Sequence, residues 1–407
     1  MENEAQAVNV RKNQSRVGLV LLAFIAFISL GLPDGLMGVA WPSVRHQFSQ
    51  PLDSLGYLLI AGTIGYTLSS FFSGKIMSRL GVGGLLAASC ALTAGSLLGY
   101  TLAPVWWVMV GLALFAGMGG GAIDAAINTY VAAHFAEGLM QWLHASFGVG
   151  ITLGPIIMTL GLKNTGAWRT GYLEVGSAQL LLAVCFILTA AMWRNGQSAG
   201  KEAERNLADY HTPLSETLRE PRVWLSILLF FLYTGMEVIL GNWAYTLLTE
   251  SRGIAPQTAG LWTGSYWATF TLGRMLAGLY TRRIGGRKLV AGSLLLALIG
   301  GLLLWWNPSN TVGLVGVATI GFAIAPVFPA LVSLTSDRVG LKHAANTIGM
   351  QISASGLGAA LLSSLAGVLA RRISLEIIPV YLVGINTLLI GIFLTSIILS
   401  RRQDLAR

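Results

Sequence analysis

Gly74-Lys-Ile-Met-Ser78-Arg79-Leu-Gly81 returns as Gly278-Leu-Tyr-Thr-Arg282-Arg283-Ile-Gly285-Gly-Arg287, with its Gly, Arg and Gly at a constant offset of 204 residues. Each copy follows two long apolar runs. Asp34 and Gly38 stand opposite Glu237 and Gly241 at an offset of 203, and Gly117 stands opposite Gly321 at 204. Glycine alone carries little weight in a chain with 50 of them, but the charged positions keep the same register. The pattern predicts two copies of one membrane unit, the arrangement of transporters whose substrate site lies between the repeats.

Composition agrees. The chain has 407 residues, 54% of them hydrophobic and 11% charged, with a mean hydropathy of +0.67, more apolar content than a water-soluble core can hide. Apolar runs of about 20 residues fall at 17–41, 55–74, 82–103, 105–131, 140–162 and 172–193, and again at 223–248, 257–279, 287–306, 311–335, 344–369 and 376–400. The expected fold is an all-α integral membrane protein of 12 transmembrane helices in two pseudo-symmetric six-helix bundles, 17–193 and 223–400. Polar segments at 1–16, 194–222 and 401–407 make an amino-terminal tail, a central linker and a carboxyl-terminal tail. Abundant glycine suits closely approaching helices, whereas a β-barrel needs short alternating strands. Cys90 and Cys185 both fall within spans and read as small buried hydrophobes. The first run follows Arg11, Lys12 and Arg16 as a signal peptide would, but it is long and lacks a small-x-small cleavage site, so it is expected to stay as span one.

With both termini in the cytoplasm, 19 of the 26 Lys and Arg lie on the cytoplasmic side and six on the other, with Arg274 inside a span. That bias predicts a multi-pass protein of the cytoplasmic (inner) membrane with both termini cytoplasmic. It also explains the net charge of +9 without nucleic-acid binding. In the linker, Thr212-Pro213 predicts a helix start, after which Leu214 and Leu218 would share one face and could rest on the membrane surface. The pairs Trp106-Trp107 and Trp305-Trp306 read as interfacial aromatic belts.

Along essentially its whole length the chain resembles the major facilitator superfamily. That family's loop, Gly-x-x-x-Asp-Arg-x-Gly-Arg-Arg, is matched by Gly74, Arg79 and Gly81 and by Gly278, Arg283 and Gly285, the expected gating loops. Both copies lack the Asp; Ser78 and Arg282 stand in its place, which removes the acidic half of the charge lock that the resemblance implies. Within the superfamily the chain is similar to the fucose-galactose-glucose:proton symporter group. The similar segments are Gly31-Leu-Pro-Asp34-Gly-Leu-Met-Gly38, Gly119-Gly-Gly-Ala-Ile-Asp124-Ala-Ala-Ile-Asn128, Leu143-His144-Ala-Ser-Phe-Gly148, Gly235-Met-Glu237-Val-Ile-Leu-Gly241-Asn-Trp243 and Ala325-Pro326-Val-Phe-Pro329. That resemblance implies that acidic side chains in spans one and four serve substrate contact and proton coupling. Asp34 and Asp124 are the matching positions, Asp124 replacing what is commonly Glu.

Independently, an ionisable residue inside a span is costly enough to need a cavity, a partner or a task. The spans hold Asp34, Asp124, Glu237 and Arg274. Asp34 and Asp124 should stand about 15 Å apart along the membrane normal at the helical rise. Asn128 follows Asp124 by one turn and can face the same cavity. Arg274, one turn before Gly278, reads as a residue that snorkels or ties spans together. Sugar recognition needs fixed donors and acceptors and flat apolar surfaces. The candidates are Trp262, Tyr266 and Thr269 on span eight, His144, Phe147 and Ile151 on span five, Trp243 on span seven, and Asn346 and Gln351 on span eleven.

The favoured expectation is a proton-coupled symporter of a sugar or similar small polar solute, working by alternating access as a functional monomer in the lipid bilayer. Asp34, Glu237, Asn128, His144, Trp243, Trp262, Tyr266 and Gln351 would contact the substrate. Asp124, with Asp34, would couple the proton, because a low-dielectric cavity penalises an ionised carboxylate. No cofactor, metal or nucleic acid is implied beyond the proton gradient as energy source. One alternative is a proton-coupled exporter of cationic or amphipathic compounds, since Gly150-x-x-x-Gly154-Pro155 resembles part of an exporter motif, though Ile156, Ile157 and Met158 follow where its closing glycines belong. Another is a non-transporting membrane sensor. No His-Glu-x-x-His, Gly-x-Ser-x-Gly or Gly-x-x-x-x-Gly-Lys-Ser/Thr pattern supports catalysis or nucleotide use, so no enzyme is expected. Restoring the missing acid by Ser78→Asp should raise the outward-open population by no more than roughly fivefold, the worth of an exposed ion pair of about 1 kcal/mol. Spin-label distances between the cytoplasmic ends of spans four and ten measure it; no shift, or a shift inward, means that other contacts have replaced the lock.

Overall fold

The computed structural model describes residues 2–134, 137–194 and 212–404, and the regular elements among them are helical. Most of the predicted linker, 195–211, and the carboxyl-terminal 405–407 lie outside the described residues. Helix is what hydrocarbon demands, because no water is there to satisfy a free backbone group. Ten helices are long and apolar enough to cross a membrane. One of them, Leu52–Leu102, is two spans joined at Gly81, where a φ of 71° reverses the chain. With Pro256–Ile284 as a further crossing, the described residues make twelve.

Span one is Glu2–Gln47; spans two and three are the parts of Leu55–Leu102 on either side of Gly81; spans four to six are Trp106–His134, Glu137–Thr165 and Arg169–Thr189. Spans seven to nine are Pro221–Thr246, Pro256–Ile284 and Gly286–Trp306. Span ten is Asn310–Ile324 continued by Val327–Ser333, and spans eleven and twelve are Leu341–Arg372 and Ile377–Asp404. The helix of span one reaches back to Glu2, so the stretch read as a tail continues the span; its Glu, Ala, Gln, Arg and Lys are helix formers.

The sequence repeat reappears as a repeat of contacts. Span one packs on five, two and three on four, and three on six; in the second half seven packs on eleven, eight on ten, and nine on twelve. A Cβ at Gly117 would collide with the Gly62 carbonyl oxygen, and one at Gly321 with the Tyr266 carbonyl oxygen, so both partners of this contact recur at 204 residues. Likewise Gly150 lies on the Ile28 carbonyl and Gly358 on the Phe231 carbonyl. Helices meet this closely only where one of them lacks a side chain. Gly150 and Gly154 are thereby spent on the seam between spans one and five. The loop motif turns the chain at Gly81 and again at Gly285, φ 81°, a backbone region that disfavours side chains.

With six crossings in each half, the described ends at Glu2, Arg194, Thr212 and Asp404 fall at one end of the bundle, the terminal face. At the opposite, far face each half carries a polar cap. In the first half Arg169 donates to the Thr101 carbonyl (2.9 Å) and to Gln47 Oε1 (2.7 Å). In the second, Arg252 donates to the Leu304 carbonyl (2.9 Å) and to both oxygens of Glu376 (2.8 and 3.0 Å). Gln47 and Arg252 occupy matching ends of spans one and seven, so the same cap is built with donor and acceptor exchanged. The Arg252 hydrogen bond holds the Glu376 carboxyl below the usual range. Trp107, Trp305 and Trp306 are exposed, as interfacial residues should be, but Trp106 is buried against Trp41 and Phe48.

At the terminal face the end of the linker forms a short helix, Leu214–Thr217. It docks through Thr217, which is buried between His343 Nδ1 (3.2 Å) and Asn346 Nδ2 (3.0 Å), while Leu214 is exposed and Leu218, just beyond the helix, is half-buried. Asn346 also donates to the Thr212 carbonyl (3.0 Å), which spends its amide on the linker. Ser78, in the position of the missing acid, turns its hydroxyl to the Lys75 carbonyl of its own helix (2.8 Å) and ties to no other helix among the described residues. Arg79 and Arg283 are exposed, Gly278 lies in the helix of span eight, and the Arg282 side chain is outside what is described.

Spans two and eleven, five and eight, and one and seven join the halves. Among the described residues, the ion pairs between halves both lie at the far face: Arg45 with Glu250, and Arg371 with Asp53 (3.0 Å). Partly exposed pairs of this kind are worth at most about 1 kcal/mol each, so Arg45→Gln with Arg371→Gln should raise the population open at the far face by up to roughly thirtyfold. Spin-label distances across the far ends of spans one and seven report it, and an unchanged distribution means that packing alone closes that face.

Candidate functional site

Asp34, Glu237 and Arg274 come from helices that join the halves, while Asp124 comes from span four and is tied to span two through Tyr66, and each acid has a different setting. Asp34 is exposed although it lies deep along span one, and it has no hydrogen-bond or ion-pair partner among the described residues. A carboxylate exposed at that depth faces a cavity. Asp124 is half-buried, and both of its oxygens are engaged: Tyr66 of span two donates to Oδ2, and Asn128 donates to Oδ1 at 2.8 Å. Glu237 is half-buried beside Tyr233, within electrostatic reach of Arg274.

His144 is exposed on span five, edge-on to Phe27 with ring centroids 5.5 Å apart. Its charge would act on Asp124 in its own half and on Arg274 in the other. Arg274 lies over the Phe270 ring at 4.4 Å and donates from Nε to the Ala325 carbonyl at 3.4 Å. That carbonyl is free because Pro329, four residues on, has no N–H to offer it. Span ten breaks here, at Pro326, and the Tyr233 hydroxyl takes the neighbouring Ile324 carbonyl at 3.0 Å. Arg274 is thus a tie between spans, as its position suggested, and also a cation set between Glu237 and His144.

Other predicted contacts are drawn into the walls. Trp243 is fully buried and donates to the Ser363 carbonyl (2.9 Å). Gln351 is fully buried, its amide nitrogen donating to Ser226 (2.7 Å) and Thr335 (3.1 Å). Tyr266 is buried and donates to the Glu237 backbone carbonyl (2.7 Å), so it fixes the helix that carries the acid. Trp262 is half-buried against the apolar core, Thr269 donates to the Tyr266 carbonyl (3.0 Å), and Ile151 is packed in the seam of spans one and five. Phe147 bridges the two apolar clusters. Of the predicted contacts, Asn128 and His144 remain with Asp34, Asp124 and Glu237 outside the walls, and Arg274 and the Thr152–Thr271 pair (3.4 Å) add polar groups between the halves. A hollow of about 440 Å³ on spans seven and eleven, bordered by Ile227, Gly349, Met350 and Ser353, holds none of the three acids; it is mostly open and apolar, and the charged junction is the better site.

Tyr66 was not anticipated. Its period on span two is that of an ordinary apolar position, and only the fold brings its hydroxyl to Asp124. The comparisons with known proteins agree with this architecture. The model of the Major Facilitator Superfamily matches residues 19–248 and 225–406. The chain belongs to the Major Facilitator Superfamily. It is 23% identical over 394 residues to Bypass of stop codon protein 6 of Saccharomyces cerevisiae, covering 88% of this chain and 78% of that one. It is 22% identical to Sodium-dependent glucose transporter 1 of Homo sapiens (85% and 72% covered) and 21% identical to the Glucose/mannose transporter GlcP of Bacillus subtilis (86% and 87%). Among solved structures, a bacterial homolog of the human lysosomal transporter Spinster, in an inward-facing and unoccupied conformation, aligns with a TM-score of 0.76 at 14% identity, covering 94% of this chain and 98% of that one. A D-xylose-proton symporter aligns at 0.73 and 13%, covering 92% and 96%. These likenesses establish the fold of this Major Facilitator Superfamily chain.

The division between wall and cavity is measurable. Gln351→Ala strands the Ser226 hydroxyl in the wall, while Thr335 keeps the Leu331 carbonyl and Arg338, and should cost about 1–3 kcal/mol of stability. Asp34→Asn and His144→Gln, at exposed positions, should stay within about 0.5 kcal/mol. Thermal unfolding of the purified protein in detergent gives the order; equal losses would put Asp34 and His144 in the wall as well.

Proposed function

We propose that the protein is a secondary transporter that carries a sugar or similar small polar solute inward with a proton. The observation that carries the reading is the unpartnered, exposed Asp34 together with the hydrogen-bonded Asp124 at the junction of the two halves. A carboxylate without a protein partner is left to accept from substrate hydroxyls, and one held by two donors is a defined place for a proton. The sugar class draws support from two relatives, one named for glucose and one for glucose and mannose.

Asp34 and Glu237 contact the substrate from opposite halves, with Asn128 and His144 beside them. Asp124 takes the proton. Substrate binds best when Asp124 is protonated, so the two fluxes are coupled through differential affinity and no bond is made or broken. The gradient is the energy source and no cofactor takes part. With the terminal face cytoplasmic, as the Lys and Arg bias favours, the described state is closed outside by the Arg45–Glu250 and Arg371–Asp53 pairs. The protein then works as a monomer in the cytoplasmic membrane, one half rocking against the other. Import is preferred to export because Ile156, Ile157 and Met158 follow Gly150-x-x-x-Gly154-Pro155 where the closing glycines of an exporter motif belong.

In proteoliposomes an inward proton gradient should accelerate uptake of D-glucose. Asp124→Asn should abolish accumulation yet keep exchange of internal for external sugar, while Asp34→Asn and Glu237→Gln should weaken binding by about 10- to 100-fold, the loss of a charged hydrogen bond. Uphill transport by Asp124→Asn at the normal level would assign coupling elsewhere, and a gradient of sodium that replaces the proton gradient would change the coupling ion.

A further inference from the structure

Asp124 is bonded by two donors of different kinds, and the difference decides what a proton does there. An ionised carboxylate only accepts. The Asn128 amide nitrogen at Oδ1 only donates, whereas the Tyr66 hydroxyl at Oδ2 donates or accepts. A proton arriving at Oδ1 would face an N–H; one arriving at Oδ2 faces an oxygen with lone pairs to receive it. The second position keeps both hydrogen bonds, with that to Tyr66 reversed in direction.

Reversal has a consequence at Tyr66. Its hydroxyl hydrogen no longer points at Asp124 and must turn about the C–O bond to another acceptor. The groups that face this pair are few. Asp34 of span one acts on Tyr66, so it lies nearer the Tyr66–Asp124 pair than the separation of about 15 Å expected from the helical rise; His144 of span five acts on Asp124, and Arg274 of span eight acts on His144. Asn128 is on the same helix as Asp124 and is already bonded to it. Among the described residues Asp34 and a neutral His144 are the acceptors here with no hydrogen bond of their own, and of the two it is Asp34 that acts on Tyr66 itself. The backbone holds Tyr66 in place for this: Ser69 donates to the Tyr66 carbonyl at 3.1 Å, and Gly121 of span four comes so close to the same carbonyl that a Cβ would collide with it. Tyr66 and Asp124 therefore belong to one packed seam, while the hydroxyl is free to rotate.

We propose that Tyr66 is the positioning residue that passes the protonation state of Asp124 to the substrate site at Asp34. With Asp124 ionised the hydroxyl is committed to Oδ2. With Asp124 protonated the hydroxyl accepts from Oδ2–H and donates toward Asp34, or toward a substrate hydroxyl bound there. Tyr66 keeps its own proton throughout; the only proton exchanged is the one that enters from solvent onto Asp124 and later leaves. The inference rests on Asp124 as the proton carrier and names the route by which that proton changes substrate affinity.

Tyr66→Phe removes one oxygen and leaves the ring and the seam. In the full chain, wild-type affinity for D-glucose should differ by about tenfold between acid and alkaline buffer, a coupling of ordinary size, and Tyr66→Phe should reduce that difference to less than about twofold while exchange continues. Infrared difference spectra between the two buffers give a readout that needs no substrate: the C=O band of protonated Asp124, identified by its loss in Asp124→Asn, should shift in Tyr66→Phe because its hydrogen-bond acceptor is gone. A mutant with the wild-type pH dependence of affinity, or with an unmoved band, overturns the relay. If Asp124→Asn itself retains coupling and no band disappears, the proton assignment fails first, which separates the two outcomes.

Discussion

Hydrocarbon gives a spanning helix no hydrophobic reward for meeting another helix, so this fold depends on how closely bare backbone can approach backbone. The seams show the requirement directly. Gly117 on Gly62, Gly321 on Tyr266, Gly150 on Ile28 and Gly358 on Phe231 are contacts that any side chain would block. Gly38 on the Gly241 carbonyl extends the same device across the two halves. Dispersion at such contacts is short-ranged, which makes the seams within each half rigid, and where the device crosses the halves, as at Gly38, the contact must part whenever that face opens.

A second constraint follows from the first. Where a span is broken, its freed carbonyls must be satisfied by protein. Span ten breaks at Pro326, and its Ile324 and Ala325 carbonyls receive Tyr233 and Arg274. Those two side chains also surround Glu237. The break therefore recruits polar groups to the middle of the second half, and the acid that faces the junction inherits them. In the first half, the corresponding stretch of span four is the glycine run 119–121, unbroken, and the acid Asp124 finds its donors on span two and on its own next turn.

The sequence made the fold legible because period and length are properties of single helices. Twelve apolar runs, the turn at Gly81 and Gly285 and the offset between halves are all one-dimensional signals. The charged residues of the junction were legible for the same reason, since a charge in an apolar run stands out wherever it points. Direction was not legible. Trp243, Tyr266 and Gln351 lie at reasonable depth on helices near the junction, but which way a side chain faces depends on helix rotation, and that is set by glycine seams between distant segments. Tyr66 shows the converse: a tyrosine among apolar residues carries no signal until span two is packed on span four. Trp106 failed as a belt residue because Trp41 and Phe48, from another helix, cover it.

Symmetry of backbone does not carry symmetry of chemistry. Asp34 and Glu237 match in register, yet the first is exposed and unpartnered while the second is screened by Tyr233 and Arg274. The far-face caps repeat the lesson with donor and acceptor exchanged between Gln47–Arg169 and Arg252–Glu376. A duplicated scaffold tolerates such exchange because a hydrogen bond is closed by either polarity as long as one donor meets one acceptor. Each half was thereby free to take a different charge set on the same frame: two acids, a tyrosine and a histidine in the first, an acid and an arginine in the second. A carrier needs that inequality, since a site whose two walls responded alike to a proton would bind substrate more tightly or less tightly without linking the change to either one.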